Sequence, residues 1–260
     1  RPRLAVLFED NFNYLSKMCL KRMRQAAFTM IGMARRYGCQ VIVAGSDPTD
    51  NPGDYLSQGA DFVLLGEGEA TLGDVVDHIY ERSNQPLSTI LGLAYKSRPD
   101  HSGFESEKQS QTVITSSTSD DRVNYIRNQR RPELRHLDDL PLPAWDLVNM
   151  ERYRTIWLQR HGYFSINMVT TRGCPFHCNW CAKPIWGQRY NARSPENVAA
   201  ELKWLKETYG PDHIWFMDDI FGLQPGWVDR FASAVEAYGI RTPFKSLNRV
   251  DLLLRDGEID

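Results

Sequence analysis

The chain has 260 residues, 42% hydrophobic and 25% charged, with a formal net charge of −2. This is the composition of one or two globular domains, not of a disordered or fibrous chain. A charge so near zero gives no reason to expect nucleic acid or an anionic membrane as partner. Neither a signal peptide nor an apolar run long enough to span a bilayer is present, so a cytoplasmic protein is expected.

Leu4–Phe8 (LAVLF) predicts a short strand buried on both faces. Ser16–Tyr37 reads as a long helix stopped by Gly38, and Val41–Ala44 as a second buried strand. A loop with Gly45, Pro48, Pro52 and Gly53 follows. Asp61–Leu65 is a third strand, and Gly66-Glu67-Gly68-Glu69 turns into a helix from about Ala70 to Arg82. Strands alternating with helices imply right-handed crossovers and a parallel sheet, whose ligands sit at the carboxyl ends of the strands. Those ends are Glu9–Asn13, Gly45–Asp47 and Gly66–Glu69.

Pro99–Asp121 is polar and reads as a loose connection or hairpin excursion. Two prolines exclude a continuous helix over Leu137–Trp145, which is expected to dock as an extended linker through Leu140, Leu142 and Trp145. Ile166–Thr171 begins a second βα series. Ser194-Pro195-Glu196-Asn197 starts a helix running to about Tyr209, with Ser194 as N-cap and Pro195 at the first helical position. His213–Met217, Trp227–Tyr238 and Pro243–Leu247 continue as strand, helix and strand. The expected fold class is α/β: a partial Rossmann-like parallel sheet over 1–96, a linker region over 97–160, and the first βα units of a barrel over 161–260.

Five cysteines in such a chain argue against a disulfide framework. Cys19 and Cys39 stand alone and read as small buried hydrophobes. Cys174, Cys178 and Cys181 crowd into the loop Thr171-Arg172-Gly173-Cys174-Pro175-Phe176-His177-Cys178-Asn179-Trp180-Cys181. Thiolates from one short loop can wrap a corner of an iron–sulfur cubane, leaving one iron open to a reactant. A zinc site would want a fourth ligand, and His177 is placed for that only in a strained loop.

This loop matches C-x3-C-x-aromatic-C and resembles that of radical S-adenosylmethionine (SAM) enzymes, at the carboxyl end of the first strand of a partial TIM barrel. The resemblance implies a [4Fe–4S] cluster on Cys174, Cys178 and Cys181, with SAM chelated by the open iron. Reduction by a donor such as flavodoxin or ferredoxin would cleave SAM to methionine and a 5′-deoxyadenosyl radical. Trp180 would pack on the adenine or simply fill the core. Asp218 and Asp219, ending the second barrel strand, would meet the amino group of SAM or else cap the next helix. Asn248 and Arg249 close the third strand at the same mouth, where Arg249 could equally pair with Asp251.

Val43-Ala44-Gly45-Ser46-Asp47 and Gly59-Ala60-Asp61-Phe62-Val63-Leu64-Leu65-Gly66-Glu67-Gly68-Glu69-Ala70-Thr71-Leu72 resemble βα units of the cobalamin-binding domain attached to many such enzymes. On that resemblance Gly45, Ser46, Gly66, Glu67, Gly68 and Glu69 would approach cobalamin, although any βα turn favours Gly and a helix-starting acid. No Asp-x-His-x-x-Gly sequence is present, so the motif gives no basis for claiming a histidine ligand to cobalt from this chain. The resemblance implies methylation of an unactivated carbon in a small-molecule substrate. Other members form rings or rearrange carbon skeletons, anaerobic porphyrin-ring cyclisation among them. A methylthiotransferase would need three further cysteines in the first half, where only Cys19 and Cys39 occur. A non-catalytic metal-binding module is the rival of another class. Because Leu4–Phe8 matches the third strand of the family's domain and the barrel stops early, the chain is expected to be an internal fragment, inactive by itself.

Overall fold

The valine- and leucine-rich strands of the first half alternate their side chains between two helix-covered faces, and two buried clusters result. The computed structural model describes residues 1–9, 19–97, 112–115, 124–179, 185–186 and 189–254. Two compact units emerge: Arg1–Glu133 with Pro184–Trp186, and Leu134–Lys183 with Gly187–Asp260.

In the first unit β1 (Leu4–Phe8), β2 (Gln40–Ala44) and β3 (Phe62–Leu64) are parallel, while β4 (Leu93–Lys96), β5 (Thr112–Thr115) and β6 (Asn124–Arg127) extend the sheet antiparallel, in the order β1-β2-β3-β4-β6-β5. On one face Val41, Val43 and Val63 pack with Ala27 and Ile31 of α1 (Leu20–Arg36). On the other, Ile42, Ala44 and Leu64 pack with Leu72 and Val75 of the helix Glu69–Ile79. β2 and β3 are thus buried on both faces, as their unbroken apolar runs predict. β1 is not. It ends the sheet order, and Val6 and Phe8 are 41% and 46% exposed.

The stretch expected as a loop after β2 instead forms two short helices, α2 (Ser46–Asp50) and α3 (Pro52–Ser57). Their prolines sit in first turns, where no backbone donor is needed. The helix Glu69–Ile79 is α4. The first unit also continues to Glu133, past the boundary expected at residue 96, because Asn124–Arg127 pairs with β4. Cys39 is buried, with its thiol donating to the Pro2 carbonyl at 3.3 Å, whereas Cys19 is exposed at the start of α1.

The second unit has a parallel sheet of β7 (Ser165–Met168), β10 (His213–Phe216) and β11 (Phe244–Lys245), ordered β11-β10-β7. Its first helix, α5 (Met150–His161), lies in what the sequence suggests is linker. Met150, Tyr153 and Trp157 face the core, while Ile156 and Leu158 on other sides of the helix are exposed. Leu137, not Leu142, anchors the segment before it: Leu137 is buried, Trp145 packs on the core and Leu142 is exposed. After β7 and β10 come α6 (Pro195–Tyr209) and α7 (Trp227–Ala237), as in the opening of a (βα) barrel. Ser194 caps α6, its hydroxyl accepting from the Asn197 amide at 3.2 Å.

Arg193, just before α6, ties the helix to the end of β7. Its guanidinium pairs with buried Glu201, donates to Asn197 Oδ1 at 2.7 Å and to the Val169 carbonyl at 3.0 Å. Removing one partner of a buried pair strands the other charge away from water. Glu201→Ala is therefore expected to cost about 3–5 kcal/mol in urea unfolding. Glu207→Ala, which deletes an exposed pair with Lys203, should cost less than about 1 kcal/mol.

Candidate metal centre

The cysteine loop leaves the carboxyl end of β7 through a narrow neck. Thr171–Arg172 (β8) pairs antiparallel with Asn191–Ala192 (β9), and the Arg193 amide donates to the Thr170 carbonyl at 2.9 Å. The chain enters the loop at Gly173 with φ +80°, a left-handed turn that a side chain would strain. Cys174 is then buried against Ile220 and Leu252, with Phe176 and Leu223 packed beside them. Cys178 is half-exposed, and the described cysteines form no disulfide. Trp180 and Cys181 lie outside the described residues. Over the Phe176 ring sits the Arg249 guanidinium, 3.8 Å from the centroid, and Arg249 also pairs with Asp251 at 2.9 Å. Asp251 raises the Arg249 pKa, with smaller contributions from Cys178 and Cys174.

Asp218 does not reach the mouth expected from the sequence. Only 1% exposed, it turns inward and accepts from the Thr170 amide at 2.7 Å, the Thr170 hydroxyl at 2.5 Å and the Thr171 amide at 2.9 Å. Burial pushes its pKa up to about 6 despite these donors. The adjacent carboxylate, Asp219, is the exposed one, at the bend that follows β10. Asn248 is also exposed. With its amide nitrogen facing them, it donates to the carbonyls of Leu247 at 2.7 Å and Phe221 at 3.3 Å. That amide reinforces the crossing already made by the Phe221 amide and the Leu247 carbonyl at 3.0 Å.

Sequence reasoning missed Tyr190, whose oxygen accepts from the Leu223 amide at 3.2 Å and whose pKa burial pushes up to about 12. It also missed Arg193. The four-residue spacing from Arg193, just before α6, to Asn197 and Glu201 on the helix was a usable signal.

In the first unit, the loops at the carboxyl ends of β1, β2 and β3 converge. The Gly66 amide donates to Thr49 Oγ1 at 3.0 Å, and a Cβ on Gly45 would lie 2.4 Å from Glu9 Oε2. Gly45 and Gly68 therefore have an internal reason to be glycine: Gly68 has the Phe8 ring where a Cβ would go, at 2.9 Å. Gly66, with φ +79°, is less crowded, the nearest side chain being Arg130 at 3.6 Å. Ser46, Glu67 and Glu69 are half-buried at the rim of these loops. Beneath them lies a polar network unforeseen from sequence. Buried Asp47 accepts from Arg24 Nε at 2.6 Å, Tyr55 Oη at 2.7 Å and Asn51 Nδ2 at 3.0 Å. Burial alone would raise the Asp47 pKa, but these donors hold it below the usual carboxylate range. Glu9, also bonded by Tyr55 at 3.2 Å, is pushed up by burial. Arg130 also donates to the carbonyl of Ile185, which belongs to this same unit.

Residues 168–253 match the model of the radical SAM superfamily. Over that stretch, from β7 to the short helix Val250–Leu253, the chain is similar to the superfamily. Among curated relatives, an uncharacterised methyltransferase of Pyrococcus horikoshii is 30% identical over 74% of this chain and 35% of its own. Cytidylyl-2-hydroxyethylphosphonate methyltransferase of Streptomyces wedmorensis is 30% identical over 81% of this chain and 37% of its own. The anaerobic magnesium-protoporphyrin IX monomethyl ester cyclase of Synechocystis is 24% identical over 84% and 38%. The chain thus spans little more than a third of the length of these relatives. The solved structure of the radical SAM methyltransferase TsrM from Kitasatospora setae, with cobalamin and a [4Fe–4S] cluster bound, is alike in fold. Its TM-score is 0.57 and its identity 18%, over 90% of this chain and 41% of that one.

A radical SAM domain implies a [4Fe–4S] cluster and SAM, and the residues described here fit such a group. Cys174 and Cys178 offer soft thiolates on one loop, against an apolar wall, with a cation beside them. Asp218 holds the base of this radical SAM loop, and its titration should be visible in stability. An acid whose pKa is higher in the folded than in the unfolded state favours folding most below its unfolded value. That contribution is lost as pH rises from about 4 to about 6. The stability difference between the native chain and Asp218→Asn, followed by thermal unfolding, should therefore shift against the native chain across that window and be flat above it. A pH-independent difference would contradict this.

Proposed function

We propose that this chain is part of a cobalamin-dependent radical SAM enzyme that methylates an unactivated carbon of a small-molecule substrate. The observation that carries the reading is the cysteine loop: buried Cys174 and half-exposed Cys178 at the carboxyl end of β7, matched by the superfamily model. Two relatives named as methyltransferases, and the fold shared with a methyltransferase, support it.

Cys174, Cys178 and Cys181 would hold the cluster. When loaded, and given one electron from a flavodoxin- or ferredoxin-type donor, that cluster supplies reductive cleavage of SAM to methionine and a 5′-deoxyadenosyl radical. The chain's own share is binding, orientation and exclusion of water. Asp219, exposed at the end of β10, would accept from the SAM ammonium, and Asn248 lies at the end of the neighbouring strand. Trp180 would face the adenine. Asp218 acts indirectly, by fixing the neck from which the cysteines project. In the first unit Gly66 offers close backbone approach, and Ser46, Glu67 and Glu69 offer polar groups to cobalamin beside Gly45 and Gly68.

A second reading, cobalamin-dependent ring closure, is favoured by the similarity to the porphyrin-type cyclase. Both readings share the same test of the metal. The chain is purified without oxygen, reconstituted with iron and sulfide, reduced, and examined by EPR with and without SAM. A reduced-cluster signal that changes with SAM and is absent from Cys174→Ala is the expected outcome. Bound zinc without iron would replace the enzyme by a structural metal module.

A further inference from the structure

Arg249 lies against the cysteine loop with its side chain 36% exposed. Its guanidinium lies 3.8 Å from the centroid of Phe176, the ring between Cys174 and Cys178 in sequence. Asp251 braces it from the other side, accepting from Nε at 2.9 Å and from a terminal nitrogen at 3.3 Å. The short helix these residues open, α8 (Val250–Leu253), buries Leu252 against Cys174 and Ile220. The turn therefore grips the loop through one aromatic and one aliphatic contact, and carries a cation and an anion with it.

We infer that Arg249 and Asp251 together set the reduction potential of the cluster bound at this loop, Arg249 raising it and Asp251 partly cancelling that effect. The inference rests on the reading of the cysteines as cluster ligands. The physical basis is simple Coulomb interaction. A three-thiolate [4Fe–4S]²⁺ cluster takes up one electron to become [4Fe–4S]⁺, one unit more negative, with no bond broken and no proton moved. A fixed positive charge close by favours the reduced form, and a negative charge opposes it. Net charge around the cluster is one of the recognised determinants of such potentials. Stacking on Phe176 matters because it pins the guanidinium, where a free side chain would swing into solvent and be screened.

The test is an EPR-monitored redox titration, with a low-potential chemical reductant, of reconstituted native chain, Arg249→Gln, Arg249→Lys and Asp251→Asn, each checked for iron content. Arg249→Gln should make reduction roughly three- to tenfold less favourable, a shift of ~30 to ~59 mV downward for a one-electron couple. Asp251→Asn should shift the potential in the opposite direction, and Arg249→Lys, which keeps the charge but loses the stacked planar group, should fall between the native value and that of Arg249→Gln. Opposite signs separate an electrostatic role from mere loosening of the loop, which would move both variants the same way. Unchanged potentials, or shifts of one sign in both, overturn the inference. If Arg249→Gln takes up no iron, the lysine and Asp251→Asn variants decide. A native chain without iron takes down the cluster reading itself, and the iron assay identifies that case.

Discussion

Where β7 ends, the polypeptide must stop pairing with the sheet and begin a loop that presents thiolates. The backbone amides at that junction lose their strand partners and need others. Asp218 supplies them, accepting from the amides of Thr170 and Thr171 and from the Thr170 hydroxyl. Because Asp218 follows β10 by only two residues, the register of β7 against β10 determines where the loop starts. Arg193 adds a second tie at the Val169 carbonyl, and the β8–β9 ribbon closes the neck. The position of Cys174 follows from these bonds.

A buried carboxylate is costly unless its lone pairs are satisfied. Asp218 tolerates burial because three donors of one short segment converge on it, yet its elevated pKa shows that desolvation is not fully offset. Asp47 in the first unit is the opposite case. There the donors include the Arg24 guanidinium, and charge complementarity outweighs burial. Both carboxylates sit at the carboxyl ends of parallel strands and organise loops from below, leaving the loop surfaces for ligands. The same logic separates the acidic pair ending β10: one residue builds the loop, and its neighbour faces outward.

Much of the architecture is legible in local pattern. Continuous apolar runs marked β2 and β3, and the Ser194-Pro195 start and Gly210 stop delimited α6. The three cysteines and their spacing pointed to cluster chemistry. The errors have physical sources. β1 has the same composition as β2 and β3, but burial depends on neighbours, which composition does not encode. The helix α5 was hidden because Ile156 and Leu158 lie off the row of Met150, Tyr153 and Trp157 that faces the core, which blurs the periodic signal. Asp218 and Asp219 are chemically identical in sequence, and only the approach of Thr170 and Thr171 to Asp218 tells them apart. Gly45 and Gly68 read as ligand-approach glycines, whereas Glu9 and Phe8 occupy the space beside them.

By itself the sequence determined the alternation of strands and helices, the cysteine loop and its place after a strand, because periodicity, caps and soft-ligand spacing are local properties. Tertiary structure alone decided which carboxylate is buried, which glycines are needed for packing, and that Arg249 and Leu252 close over the loop from a distant segment. Those outcomes depend on long-range contacts, where desolvation and packing depend on what the fold brings alongside.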